Sequence, residues 1–400
     1  MNIIFLTLTD INSINEKTIY TDLLREFLAN GHKVTIVSPT ERRNNKQTYI
    51  IEEKDCKILK VKIGNIQKSN IVEKGISTIL LERNYKSAIK EHFKDYRFDL
   101  ILYSTPPITL VSTIKFLKSH HNAKSYLLLK DIFPQNAVDL NMFSKRSLLY
   151  QYFRLKEKEL YKQSDYIGCM SPANVEFVLN HNPEIDKNII EVSPNSIEPV
   201  AIKNNDLEIK SIRKKYNIPF GKTIFIYGGN LGKPQGIDFL LNCLESNKNN
   251  KDVYFVIAGS GTEFNKIQSY FDTHHIPNAQ LFKQLPKKDY EVLANSCDVG
   301  LIFLDHRFTI PNFPSRLLSY MQASVPVLAA TDPNTDIGQI IEQGEFGYWC
   351  ESNDVQSFTQ KVNELSNNKT RQKMGDNARK YLEENYTSRH SYEIIMSHFK

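Results

Sequence analysis

The sequence predicts an α/β fold in two halves, each a parallel sheet covered by helices. Three observations predict it. A strand, a helix and a second strand follow one another within the first forty residues, the pattern of a βαβ unit. The same alternation starts afresh at Thr223, after a turn-rich connector. Several strands run into loops shaped by glycine or proline, where open parallel sheets place their ligands. At 400 residues the chain exceeds one ordinary core, and two domains of roughly 200 residues are expected.

The elements follow in order. Residues 2–8 form a first strand, 9–15 a polar loop, and about 16–29 a helix burying Ile19, Leu23, Leu24, Phe27 and Leu28. Asn30-Gly31 stops that helix, and residues 32–39 are the second strand. Strand 99–103, helix 107–118 and strand 124–130 repeat the pattern. The loop Asp131-Ile132-Phe133-Pro134-Gln135-Asn136 leads to a long helix at 145–163; strand 166–170, helix 172–180 and strand 188–192 complete a first domain, 1–200. Pro194–Pro199 has connector chemistry, and the polar segment 203–210 supports the boundary.

The second domain, 201–380, opens with strand 223–227 running into Gly228-Gly229-Asn230-Leu231-Gly232-Lys233-Pro234-Gln235-Gly236. Strand 252–258 runs into Gly259-Ser260-Gly261, and strand 279–283 into Gln284-Leu285-Pro286 and a helix at 287–295. The apolar run 299–304 is a buried strand. After it comes Asp305–Arg316, stiffened by Pro311 and Pro314, then a short helix from Pro314-Ser315 and a strand at 325–330. Residues 369–398 read as helical and polar, and 381–400 are expected to pack back toward the first domain.

Composition narrows the class. The net charge is +6, with 28 basic and 23 acidic residues in 1–200 and 23 against 22 beyond. That is too weak for a nucleic-acid face, and it suits either a solvated surface or contact with an anionic membrane. The five cysteines are scattered without CxxC spacing, which argues for reduced thiols and against a zinc site. No apolar run approaches the ~20 residues of a spanning helix, and residues 3–8 are too short for a signal peptide. A cytoplasmic protein, touching a membrane surface at most, is expected.

The chemistry points to a phosphate-bearing ligand. Glycine after a strand permits close backbone approach, a helix start favours an anion, and Arg307 and Arg316 add positive charge. Each feature also has an ordinary reading, as a tight βα turn or a solvated loop.

These strings resemble a known family. Gly31-His32-Lys33-Val34-Thr35, Pro194-Asn195-Ser196, the Gly-Gly and Gly-Ser-Gly loops, Phe313-Pro314 and Pro326-Val327 are similar to the motifs of retaining family-four glycosyltransferases. That resemblance implies the GT-B fold, two Rossmann-like domains facing each other across a cleft, with the acceptor on the first and a nucleotide-sugar donor on the second. Leu129–Leu140, Ser171-Pro172-Ala173-Asn174 and Asp305–Arg316 resemble bacterial capsule and O-antigen transferases, including those for N-acetyl-L-fucosamine. It implies a UDP-sugar donor, an undecaprenyl-diphosphate-linked sugar acceptor and retention of configuration. The sequence has no Asp-x-Asp motif, and neither cofactor nor metal is expected where Arg and backbone N–H groups meet the diphosphate charge. The expected location is the cytoplasm, with peripheral contact at the inner face of the cytoplasmic membrane as one option, and no nucleic acid is a partner.

By this resemblance the donor residues are Gly229, Asn230, Lys233, Gln235, Gly259, Ser260, Gly261, Gln284, Leu285, His306, Arg307, Asn312, Phe313, Pro314, Ser315, Arg316 and Ser319. Asp131, Lys130, Arg316 and Asp10 are the catalytic candidates, and Asn12, Ser13, Asn15 and Asn136 the acceptor-side ones. The chain departs from the family where its two glutamates fall, at Pro311 and Ser319, and where its diphosphate Arg and Lys fall, at Asn230 and Gln235. The loop 11–15 lacks the family's glycines, and Lys130 replaces a histidine. Arg316, Arg307, Lys233 and helix starts are left to meet the diphosphate charge. Asp10 has a competing reading as a helix cap. The helix at 145–163 is either a membrane-surface element or an amphipathic packing helix. A sugar-nucleotide epimerase of the same fold, or a non-catalytic nucleotide-binding partner of an assembly complex, are the rival functions.

Overall fold

The computed structural model describes residues 1–66, 71–201 and 205–399, so residues 203–204 of the expected polar linker lie outside it. The chain divides into two compact units, Met1–Glu198 with Ser388–Lys400, and Pro199–Thr387.

In the first unit the strands are β1 (Asn2–Leu6), β2 (Lys33–Glu41), β3 (Tyr49–Glu53), β4 (Cys56–Ile63), β5 (Leu100–Ser104), β6 (Lys124–Leu129), β7 (Tyr166–Cys169) and β8 (Ile190–Val192). Their order across the sheet is β3-β4-β2-β1-β5-β6-β7-β8, parallel except for β3 against β4. Helices α1 (Ile19–Ala29), α2 (Ile71–His92), α3 (Val111–His121), α4 (Gln135–Asp139), α5 (Leu148–Gln163) and α6 (Pro172–His181) belong to this unit. β1 and β5 are buried almost along their whole length, which explains their continuous apolar sequence. α1 begins at Ile19 rather than 16, because Thr18 and Thr21 form a reciprocal cap. Likewise α5 begins at Leu148, where the Ser147 hydroxyl accepts from the Tyr150 N–H at 3.2 Å. Between β2 and β5 the structure adds the β3–β4 hairpin and α2, which hydrophobic periodicity did not indicate.

The second unit contains α7 (Asp206–Lys215), β9 (Thr223–Asn230), α8 (Ile237–Asn247), β10 (Val253–Ser260), α9 (Phe264–Thr273), β11 (Ala279–Phe282) and α10 (Lys287–Asn295). It continues with β12 (Val299–Phe303), α11 (Arg316–Gln322), β13 (Val327–Thr331), α12 (Ile337–Gln343), β14 (Gly347–Glu351), α13 (Val355–Glu364) and α14 (Asn368–Asn385). Its sheet is wholly parallel, in the order β11-β10-β9-β12-β13-β14.

The helical stretch 369–398 is interrupted. α14 ends at Asn385, Tyr386 is buried 5.8 Å from the Phe313 ring, and α15 (Ser388–Met396) joins the first unit. There the Ser388 N–H donates to the Ile197 carbonyl at 2.9 Å. Tyr392 meets the Phe27 ring at 4.9 Å and its hydroxyl lies 3.1 Å from His32 Nε2.

Both sheets have a reversal of strand order. In the first, the chain goes from β1 outward to β2 and returns on the other side of β1 as β5. In the second, it goes from β9 out to β10 and β11 and returns beside β9 as β12. Such switch points open a crevice at the carboxyl ends of the strands. The loops after β1 and β5, and those after β9 and β12, are therefore the ones to inspect.

Candidate functional site

In the second unit the loop after β9 lies against the loop after β12. The Asp305 N–H donates to the Pro234 carbonyl at 2.9 Å, and a Cβ on Gly236 would sit 3.2 Å from Asp305 Cα. Gly229 has φ +131°, which L side chains rarely adopt, and a Cβ there would meet Arg316 Nη2 at 2.7 Å. Gly259 pairs with Gly229 across the ladder, and a Cβ on it would press on the Gly229 carbonyl. Gly261 is held equally close to the Leu231 carbonyl. The Gly-Ser-Gly pattern thus follows from backbone packing, whereas Gly229 makes room for an arginine.

Arg316 is the unusual side chain. Its guanidinium carbon lies 4.1 Å from the centre of the Tyr227 ring. Nη1 is buried without a hydrogen-bond partner, and Arg316 has no carboxylate partner among the described residues. A buried guanidinium stays charged and an unmet N–H there costs free energy. Tyr227 donates its hydroxyl to the Asn230 carbonyl at 2.6 Å, and Tyr320 donates to the Ile226 carbonyl at 3.0 Å, so the platform around Arg316 is fixed. On the same loop Asn312 Nδ2 is a second buried donor with no acceptor, while the Asn312 carbonyl accepts from the Thr335 hydroxyl at 2.7 Å.

Other expected phosphate contacts are already engaged. Arg307 donates through Nε to one oxygen of Asp305 at 2.8 Å and through Nη2 to the other at 2.7 Å. Burial pushes the Asp305 carboxyl up, but the Arg307 contacts outweigh it and hold it below the usual range. The charge of Arg307 is therefore met inside the chain. Asn230 Nδ2 donates to Gln235 Oε1 at 3.0 Å, which also accepts from the Gly232 N–H at 3.1 Å, so these two side chains clasp the turn. Phe313 is buried and packs on Tyr386. Ser315 does not cap α11 with its side chain, and α11 is only seven residues long, so the side chain of Arg316 replaces the expected helix start as the source of charge. Lys233, His306, Ser315 and Ser319 are exposed, Pro314 is half-buried and Pro311 is buried.

Gly228, Gly229, Asn230, Ala258, Gly259 and Ser260 line a pocket of about 520 Å³ with Gln284, Leu285, Lys287 and Tyr290. Its volume suits a small-molecule ligand. Lys287 and Tyr290 were not expected there. Lys287 is the first residue of α10, and its position after Pro286 was the available signal.

In the first unit, Asp131 and Lys130 follow β6. The Thr105 hydroxyl accepts from the Lys130 N–H at 3.0 Å and the Asp131 N–H at 3.2 Å, which fixes the turn. Asn136 Nδ2 donates to both Asp131 oxygens, at 2.9 and 3.0 Å. Burial pushes the Asp131 carboxyl up to about 6 against the lowering effect of Asn136. Burial also pushes the Lys130 amine down to about 7, and its Nζ donates to the Ser193 carbonyl at 3.1 Å. Lys130 thus reaches toward the connector at 193–196, while the Asn136 amide is occupied with orienting Asp131.

Asp10 does not cap α1. It is ion-paired with Lys60, which also donates to the Ile11 carbonyl at 2.9 Å and to Ser38 Oγ at 3.1 Å. Ser38 Oγ in turn accepts from the Ile11 N–H at 2.9 Å. Lys60 is 1% exposed and holds the loop after β1 from below. Asn12 and Asn15 are exposed and Ser13 half-buried, with the Asn15 N–H donating to Ser13 Oγ at 3.1 Å.

Among the described residues, no group of three or more His, Cys, Asp or Glu could hold a metal ion, and no helix is long and apolar enough to cross a membrane.

Two doubly wound α/β units, with the half-buried Arg316 and its unmet Nη1 at the switch point of the second, describe a GT-B fold, and the comparisons with known proteins agree. Residues 208–381 match the family described as glycosyl transferases group 1. Over 334 residues the chain is 24% identical to the Pseudomonas aeruginosa protein called "Probable glycosyltransferase WbjE", covering 83% of this chain and 81% of that one. Sucrose-phosphate synthase from Thermosynechococcus elongatus superposes with TM-score 0.76 at 14% identity, covering 100% of this chain and 98% of that one. Anabaena Alr3699/HepE in complex with UDP-glucose superposes with TM-score 0.72 at 12% identity, covering 100% and 99%. The chain has the two-domain GT-B fold and homology to bacterial glycosyltransferases.

Proposed function

We propose that the protein is a retaining glycosyltransferase that moves an N-acetylated 6-deoxyaminosugar, N-acetyl-L-fucosamine, from UDP to an undecaprenyl-diphosphate-linked sugar in capsule or O-antigen synthesis. The observation that carries the reading is Arg316, a half-buried cation whose Nη1 is buried and unmet, with no carboxylate partner among the described residues, near the pocket after β9. Its missing counter-charge is the donor diphosphate. The solved structure of a like fold with UDP-glucose supports a UDP-sugar as donor. The choice of sugar and acceptor rests on the resemblance of Leu129–Leu140 and Asp305–Arg316 to capsule and O-antigen transferases.

In the proposed reaction the acceptor hydroxyl oxygen bonds to the anomeric carbon as the bond from that carbon to the diphosphate oxygen breaks. UDP departs with the electron pair, and its growing charge is met by Arg316 and Lys287 without a metal ion or cofactor. The acceptor proton passes to the leaving phosphate oxygen, with Asp131 orienting the hydroxyl and the Asp10 loop shaping the acceptor side. The chain works at the cytoplasmic face of the membrane, where such an acceptor is anchored.

Incubation with UDP-N-acetyl-L-fucosamine and a lipid-linked aminosugar should release UDP and lengthen the acceptor. Absence of turnover across a panel of UDP-aminosugars overturns the reading. A second reading, a non-catalytic nucleotide-binding partner, is favoured by Pro311 and Ser319, which put no carboxylate at the two family positions. It requires UDP binding by a wild-type protein that transfers nothing.

A further inference from the structure

We infer that the start of α5 and the turn before it form a docking surface for an anionic lipid bilayer. Exposed large apolar side chains are concentrated there: Met142 at 64%, Leu148 at 89%, Leu149 at 50% and Leu155 at 57%, with Tyr152 beside them. Leu148, Tyr152 and Leu155 recur at helical spacing and make one stripe. A soluble surface seldom leaves such side chains together in water without a partner.

Charge selects the partner. Residues 142–155 contain Lys145, Arg146 and Arg154 and no acidic residue. Lys145 and Arg146 are exposed and make no ion pair among the described residues. Arg154 has a different task. It holds Glu157 at 2.5 Å and donates to the His181 carbonyl and Asn182 Oδ1, both at 2.7 Å, fastening α5 to the end of α6. An exposed apolar stripe with free basic residues at one end, on a rigid base, matches a bilayer interface with negative headgroups.

The patch is also joined to the Asp131 loop within the same unit. Phe133, two residues after Asp131, packs edge-on against Phe153 at 4.9 Å and Phe143 at 6.2 Å, and Phe153 touches Tyr152 at 5.3 Å. A surface held by these rings brings the candidate acceptor loop close to the headgroups. The inference deepens the lipid-linked-acceptor reading, but it is tested separately from transfer.

The test is co-sedimentation of the full chain with vesicles of phosphatidylglycerol and phosphatidylethanolamine, and with phosphatidylcholine vesicles. The wild type should bind the anionic vesicles. Lys145→Glu with Arg146→Glu should weaken partitioning by at least about 20-fold, from roughly 5-fold per basic residue lost. Leu148→Ser with Leu155→Ser should weaken it by roughly 10-fold or more. UDP affinity and transfer to a short-chain, water-soluble acceptor should stay unchanged in both variants. Failure of the wild type to bind anionic vesicles, or full binding by the leucine variant, overturns the proposal. A dimer that the leucine variant dissolves assigns the face to a second copy and also overturns it. Vesicle binding without any transfer leaves the surface standing and removes the enzymatic reading.

Discussion

Arg316 lies with its guanidinium 4.1 Å from the Tyr227 ring centre and its Nη2 in the space that a side chain on Gly229 would fill. The two residues constrain each other: the arginine can occupy that space only while position 229 has no Cβ. Removing the cation should weaken UDP binding. A charge-assisted contact contributes roughly 1.5–3 kcal/mol, so Arg316→Ala should raise the UDP Kd about 10- to 150-fold by calorimetry. Arg316→Lys should recover part of the loss, because charge survives and the planar fork does not. Unchanged affinity in the alanine variant would refute the placement of the diphosphate.

Gly229→Ala tests the same relationship from the other side. The new methyl meets Nη2 and the backbone sits at φ +131°, so both stability and UDP affinity should fall. Gly221, with φ +78° and open space around it, is the control: alanine there should cost stability but leave UDP affinity untouched.

Asp131 should leave its mark on the pH profile. Its folded pKa is raised to about 6, so between pH 4 and 6 the folded state binds more protons than the unfolded state does. Stability from this group therefore falls as pH rises through that window, and above pH 6 a buried charge is retained for function. Asp131→Asn should melt no lower than the wild type at pH 7.5 while losing on the order of 10²-fold or more in kcat. The rise of kcat near pH 6 should vanish with it; a variant retaining that limb would acquit Asp131.

Lys60 is expected to position the loop after β1. Lys60→Met removes the cation from Asp10 and the donors from the Ile11 carbonyl and Ser38. Asp10 is half-exposed and can regain water, so the cost should fall near the lower end of about 3–5 kcal/mol for a broken buried pair. KM for the acceptor should rise with the UDP Kd unchanged. Asp10→Asn combined with Lys60→Met should lose less than the sum of the two single variants.

Transfer should survive EDTA, since side-chain cations are proposed to meet the leaving diphosphate. Loss of turnover in chelator, restored by a divalent ion, would require a metal in place of that account.

The sheet strands and their switch-point loops were legible because parallel strands are buried on both faces and their ends need glycine or proline. What escaped were features that depend on a partner distant in sequence. Lys60 stands in an alternating strand where lysine reads as solvent-facing, yet it is almost wholly buried because Asp10 comes back to meet it. Arg307 read as a free cation because Asp305 beside it gave no sign of being its bidentate acceptor. The β3–β4 hairpin was obscured by lysines at 54, 57, 60 and 62 that break its apolar run. The break at Tyr386-Thr387 lies inside a stretch of helical composition, with only Asn385 and Thr387-Ser388 to mark it, and Tyr386 is buried there against Phe313.

The return of α15 to the first unit has a consequence for biosynthesis. Phe27 and His32 are covered by Tyr392, a residue translated only after the whole second unit has been synthesised. The first-made half of the protein must wait with that apolar surface open, while the later-made half can close as a continuous segment. A released chain that stops just before Ser388 should therefore hold a protease-resistant second unit and a first unit that chaperones still recognise.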